Sequence, residues 1–334
     1  MQRKDQFLLT LRWVCFAVLL TAVVFRLADG MDWQSVQASL FSAEKTKTVS
    51  PQNDRSLADS AQQIGQAEET EPFPTMYYTP PTQSNTTDEP DVSLVSVRNP
   101  TGAELDLEAL MSQPVEMDPE ADGPLVLIVH THATEAYTPS EGEQYEADGA
   151  YRTLDTEHNV VRVGQAMADR LNENGIRTIH DTTLNDVPGY NDAYERMAGV
   201  ISGYLEAYPS IRMVIDLHRD SIETDDGGEL ALSVEVDGQQ AAQLLFVMGT
   251  DIAGMEHPNW RCNLGFALQL QAYCQTCAPG LFRELSLRTQ RYNEHLTPYS
   301  VLLEVGAAGN TLPEAIYSAQ YFADRLTELL KDAA

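Results

Sequence analysis

Cysteine is scarce in this chain, four in 334 residues, which excludes a fold stapled by disulfides. Cys15 falls inside an apolar N-terminal run, and Cys274-Gln-Thr-Cys277 has no second CxxC with which to complete a zinc site. These and Cys262 are read as packing residues or an incidental disulfide, without redox or metal chemistry. Positive charge is also short: 21 Lys and Arg stand against 50 acids, a net charge of −29. Phosphate binding needs a basic face, so nucleic acid is set aside as a partner. Internal repeats are absent.

What is present changes character along the chain. Arg3 and Lys4 precede a mostly apolar run, Phe7 to Leu27, long enough to cross a bilayer at about twenty residues. No small-x-small cleavage site directly follows it, so residues 1–28 are predicted to be a cytoplasmic start and a retained transmembrane helix, with everything after it outside the cytoplasm. Residues 29–91 are rich in Ser, Thr, Gln, Pro and Glu and bury too little to offset the entropy of ordering; they are expected to form a flexible acidic tether. Residues 92–123 read as a lead-in that docks on the domain, with an edge strand at Val92 to Val97 and a short helix at Ala103 to Met111. The folded domain is assigned to 124–334.

Within that domain Leu125 to Val129 is an apolar run suited to a strand buried on both faces, ending in His130-Thr131-His132-Ala133-Thr134-Glu135. A second such run, Ile211 to Ile215, ends in Asp216-Leu217-His218-Arg219-Asp220, and a third, Ser300 to Leu303, ends in Glu304. Helical spacing at Asn159–Asn174 and Asp192–Tyr208 separates the first two, with a short strand at Ile176–Ile179. That alternation predicts an α/β fold, a mostly parallel sheet flanked by helices. An added β-hairpin is expected from Leu230 to Met248 with its turn at Asp237-Gly238, a helix from Asn259, a strand near Phe282–Leu287, and a last helix opened by the capping box Thr311-Leu312-Pro313-Glu314.

Three strands that each end on a metal-competent or proton-transferring side chain argue for one site at one sheet edge. His132 and Glu135, three apart, together with His218, form a candidate metal set, with Asp155 and Glu157 as rivals of Glu135. His130 would stand behind His132 or orient a substrate. Asp216 or Asp220 would fix the His218 tautomer by accepting from its second nitrogen. Arg219 would bind a substrate carboxylate or carbonyl. Glu304, beside a metal, would take a proton from water and pass it to a leaving amine.

His130-Thr131-His132-Ala133-Thr134-Glu135-Ala136-Tyr137, Asn159 to Gly164, Asp216 to Asp220, Tyr292 to Pro298 and Leu303 to Gly306 resemble, in order, the successive blocks of the stage II sporulation protein P family. The resemblance covers about Pro124 to Leu330. It implies a zinc-dependent N-acetylmuramoyl-L-alanine amidase with a zinc-amidase-like fold, acting on peptidoglycan and also cutting peptide cross-links. It further implies a single-pass membrane protein whose domain lies between mother cell and forespore, working with stage II sporulation proteins D and M during engulfment. Carried over, His132 and His218 become zinc ligands and Glu304 the acid–base residue. Related amidases take their glutamate ligand from the start of the first helix, which would favour Asp155 or Glu157 over Glu135. Glu294 stands where the family's block would carry Gln.

Overall fold

Side-chain alternation along the strands decides which helix each residue meets. The computed structural model describes residues 90–147, 150–225 and 227–332; the predicted anchor and all but the last two residues of the predicted tether lie outside them. Among the described residues no helix is long and apolar enough to cross a membrane. Strand β1 (Val97–Arg98), β2 (Val126–Val129), β3 (Thr178–His180), β4 (Met213–Asp220), β7 (Leu244–Met248), β8 (Leu285–Leu287) and β9 (Val301–Ala307) form one sheet in the order β1-β8-β7-β9-β4-β2-β3. Every neighbouring pair in it is parallel except β7 and β9. The mostly parallel α/β sheet expected from the sequence is therefore present.

All four residues of β2 are buried. Val126 and Ile128 join the larger core, with Val163 and Met167 of helix α2 (Val160–Glu173) and Phe322 of the C-terminal helix α5 (Leu312–Asp332). Leu127 and Val129 face the other way, onto Met197 and Ile201 of helix α3 (Ala193–Ala207). The same parity runs through β4: Met213, Ile215 and Leu217 lie in the larger core and Val214 in the α3 cluster. Asp216 and His218, in step with Val214, are thus on the α3 side.

The helices begin where sequence chemistry says they should. The Asn159 side chain accepts from Val161 N–H at 3.0 Å to cap α2, and Gly175, at φ +89°, follows its end. At α5 the Thr311 N–H donates to Glu314 Oε2 at 2.8 Å, one half of a capping box.

Two expectations are corrected. The hairpin pairs β5 (Ser233–Val236) with β6 (Gln239–Ala242) across Asp237-Gly238, both at positive φ as a tight primed turn requires. Leu244–Met248 leaves the hairpin and becomes β7 of the main sheet, since its nearly continuous apolar pattern suits a strand covered on both faces. In the lead-in, Val92–Leu94 is a single 3-10 turn capped by Asp91, and only Val97–Arg98 pairs, with β8. Helix α1 (Leu107–Met111) packs on helix α4 (Trp260–Cys277); a Cβ at Gly265 would lie 2.6 Å from the Leu110 carbonyl oxygen, so glycine is required at that crossing. Cys262, Cys274 and Cys277 are free thiols, and no disulfide joins them.

Candidate active site

Strands β4 and β9 pair so that His218 stands opposite Glu304. Both strands continue beyond them, to Asp220 and Ala307, so the pair lies on the sheet's α3-side face and not at its rim. His132 reaches the same place because the turn after β2 carries the chain across. Asp216 holds that turn, accepting from the Thr131 N–H (2.8 Å) and hydroxyl (2.6 Å). The His132 and His218 rings are 5.4 Å apart between centroids, at 82°.

His218 is 3 % exposed and sits between two carboxylates. Its Nδ1 is 3.3 Å from Glu135 Oε2, and its Nε2 is 3.0 Å from Asp216 Oδ1. Burial opposes a charge on this ring, but Asp216 and Glu135 outweigh it and raise its pKa well above the ordinary value. His132 goes the other way: burial, helped by His218, lowers it to about 4, and its buried Nδ1 has no partner. Burial would raise Glu135, but His218 and Arg219 bring it down to about 2, so it is ionised. Burial raises Glu304 to about 8, and its Oε2 is buried without a hydrogen bond.

This donor set can be tested for a metal. A tetrahedral ion with bonds of about 2.1 Å keeps its ligand atoms about 3.4 Å apart, close to the His218 Nδ1 to Glu135 Oε2 spacing. His132 Nδ1 is a third donor, buried and unpartnered. Among the described residues no three such side chains already converge on one point. Two imidazoles and one carboxylate, with Asp216 beside one imidazole, are donors of the types that zinc takes.

The remaining predicted residues are placed as follows. Asp155 and Glu157 are exposed and face elsewhere: Asp155 meets His158 Nδ1 at 2.8 Å and Glu157 meets Arg162 at 2.7 Å. The Arg219 guanidinium donates to the carbonyls of Ala136, Ala150 and Tyr151, bracing the loop after β2 and leaving it directed at backbone and not at a substrate. Asp220 pairs with Arg283 at 2.7 Å, and the carboxylate beside His218 Nε2 is that of Asp216. His130, in step with Val126 and Ile128, points to the α2 side of the sheet. There its Nδ1–H donates to the Leu217 carbonyl at 2.9 Å and its Nε2 lies 2.8 Å from His180 Nε2.

That packing yields a prediction. A Cβ at Gly164 would fall 2.5 Å from His130 Nε2 and 2.8 Å from His180 Nε2. Gly164→Ala is therefore expected to lower stability by about 1–3 kcal/mol through overpacking, read by thermal denaturation. An unchanged melting temperature would show that the imidazole pair can move aside.

Sequence reasoning missed the aromatic and basic lining. Tyr190, 52 % exposed, lies flat on His132 at 3.9 Å and 4°. Tyr194 meets His132 edge-on at 5.6 Å, and Arg152 joins Glu135 (3.2 Å) to Asp186 (3.1 Å). Two signals were available: Arg152 is the one base among the acids between Glu135 and Glu157, and Tyr190 and Tyr194 stand four apart at a helix start.

The family described as Stage II sporulation protein P (SpoIIP) matches residues 27–327. Stage II sporulation protein P of Bacillus subtilis (strain 168) is 28 % identical over 246 residues, 69 % of this chain and 58 % of that protein, so the chain spans little more than half the length of that relative. Two solved structures are similar at 12 % identity, each over 63 % of this chain. One is the catalytic domain of CwlV, an N-acetylmuramoyl-L-alanine amidase from Bacillus (Paenibacillus) polymyxa var. colistinus, over 99 % of its length at TM-score 0.37. The other is the CwlD amidase of Clostridioides difficile in complex with the GerS lipoprotein, over 98 % at TM-score 0.38. Likenesses this slight carry no argument about the chemistry here.

Proposed function

The chain belongs to the stage II sporulation protein P family, and from that premise we propose that it is a zinc-dependent peptidoglycan hydrolase, an N-acetylmuramoyl-L-alanine amidase. The observation that carries the reading is that His132 and Glu135 both flank His218, with His132 Nδ1 buried and unpartnered, and that Glu304 stands opposite His218 across β4 and β9. Zinc bound by the first three would supply a Lewis acid that lowers the pKa of water and polarises the amide carbonyl.

The chain's own groups do the rest. Glu304 takes a proton from the attacking water as the new carbon–oxygen bond forms. It returns that proton to the L-alanine nitrogen as the carbon–nitrogen bond breaks, leaving a lactyl carboxylic acid, whose proton passes to the freed amine to give a carboxylate and an ammonium group. A carboxyl with a pKa near 8 is suited to hold and release a proton around neutrality. Asp216, beside Nε2, orients the His218 ring. The family assignment extends the proposal to action in the engulfing cell wall, with stage II sporulation proteins D and M as partners and with secondary cutting of peptide cross-links. The N-terminal apolar run supports delivery from a membrane, since a net charge of −29 gives no attraction to an anionic wall.

Digestion of purified peptidoglycan by the purified protein tests this. Free N-terminal alanine is expected to appear, to fall at least about 10³-fold with chelator or with His218→Ala, and to return when zinc is added back to the chelated wild type. Release that neither chelator nor His218→Ala diminishes would refute the assignment.

A further inference from the structure

Resting on that hydrolase reading, we propose that Tyr194 is a further catalytic residue: its hydroxyl donates to the scissile carbonyl oxygen as that oxygen becomes an oxyanion, and the Tyr292-Asn293 turn positions it.

Attack on an amide moves a negative charge onto the carbonyl oxygen, and hydrogen-bond donors preset at that point are among the largest contributors to catalysis. The side chains that close on the site are mostly acceptors: Glu135, Asp216 and Glu304. The two arginines nearby are engaged. Arg219 is directed at backbone carbonyls, and Arg152 holds Glu135, Asp186 and the Thr134 hydroxyl. Two phenols remain. Tyr194 and Tyr292 are half-buried, and neither hydroxyl makes a hydrogen bond among the described residues. Tyr194 is the nearer to the chemistry, edge-on to His132 at 5.6 Å and 89°, and the charges acting on its hydroxyl are led by Asp216 and Glu304.

The backbone supporting Tyr194 is strained in a way that a plain loop would not need. Tyr292 and Asn293 are consecutive non-glycine residues at φ +46° and +63°, a conformation that persists only when its surroundings enforce it and that concentrates at functional sites. The enforcement is visible from behind, where Glu294 accepts from the Gly249 N–H (2.7 Å) and the Leu302 N–H (3.3 Å). In front, the turn makes two contacts with one residue. Asn293 Nδ2 donates to the Tyr194 carbonyl at 2.8 Å, and the Tyr292 ring lies 5.8 Å from the Tyr194 ring. The strained turn thus fixes the first turn of α3 and, through it, the phenol.

Tyr194→Phe keeps the ring and removes only the donor. Assayed on a muramyl-L-alanine amide, it is expected to lower kcat by roughly 10²-fold, with KM, bound zinc and melting temperature unchanged. A phosphinate mimic of the tetrahedral intermediate should bind the variant at least about tenfold more weakly, while the unreactive product binds equally. Asn293→Ala should lower kcat by about tenfold through misplacement of an intact phenol. Wild-type kcat and wild-type phosphinate affinity in Tyr194→Phe would overturn the role of Tyr194 and leave the hydrolase standing. A wild-type protein that neither hydrolyses the amide nor binds the phosphinate would overturn the underlying reading and this one with it.

Discussion

Glu304→Gln is expected to lower kcat for amide hydrolysis by roughly 10²–10⁴-fold, the range for loss of a general acid–base group, while making stability less sensitive to alkali. The two effects share a cause. Burial holds the Glu304 carboxyl at a pKa of about 8 against an ordinary 4.5, so the folded protein keeps a proton that the unfolded chain gives up. The stability that goes with this proton is fully present below about pH 4.5 and is lost as pH rises through 8. Glutamine does not titrate. In metal-free protein the melting temperature of the variant relative to wild type should therefore climb between pH 5 and pH 9. Wild-type turnover would remove Glu304 from the chemistry, and a difference independent of pH would show that its carboxyl titrates normally.

Removal of residues 1–123 is expected to leave a chain that does not fold cooperatively. The lead-in supplies strand β1 at the edge of the sheet and buries Leu110, Met111 and Met117, with Val92, Leu94, Val97 and Leu107 packed against the same core. Truncating a single buried Leu or Met typically costs about 2–5 kcal/mol, and a domain's whole margin is about 5–15 kcal/mol. Losing three such side chains, and uncovering α4 and Tyr299 where they meet the lead-in, takes away as much as that whole margin. A chain beginning at Asp91 should melt in one sharp transition, and a chain beginning at Pro124 should show none. A sharp transition in the shorter chain would make the lead-in an accessory.

The fold was legible where a single period dominated. Apolar runs marked β2 and β4, 3.6-residue spacing with a glycine stop marked α2, and the Thr311 capping box marked the start of α5. It was misread where neighbours decide: Leu244–Met248 looks like the return strand of a hairpin until β9 is known to offer it an edge. At the candidate site the polar residues that interrupt apolar runs could be named, because a buried strand carries such groups only where they have a partner, although β4 and β9 run on past His218 and Glu304. What sequence could not supply is the side of the sheet. His130 and His132 differ by two positions and so share a face on an extended chain; only the Thr131 turn, bound to Asp216, separates them. Tyr190 and Tyr194 were overlooked because an aromatic at a helix start reads as packing until its hydroxyl is seen to lack a partner.

The placement of Asp216, His218 and Glu304 on one face has a consequence for how such chains can diverge. Gain or loss of one codon inside β4 or β9 would turn the affected side chains toward α2 and empty the cluster at once. Length variation that keeps the cluster is therefore confined to the connections between strands, and the spacing from Asp216 to His218 should be as inflexible as the identities of the residues themselves.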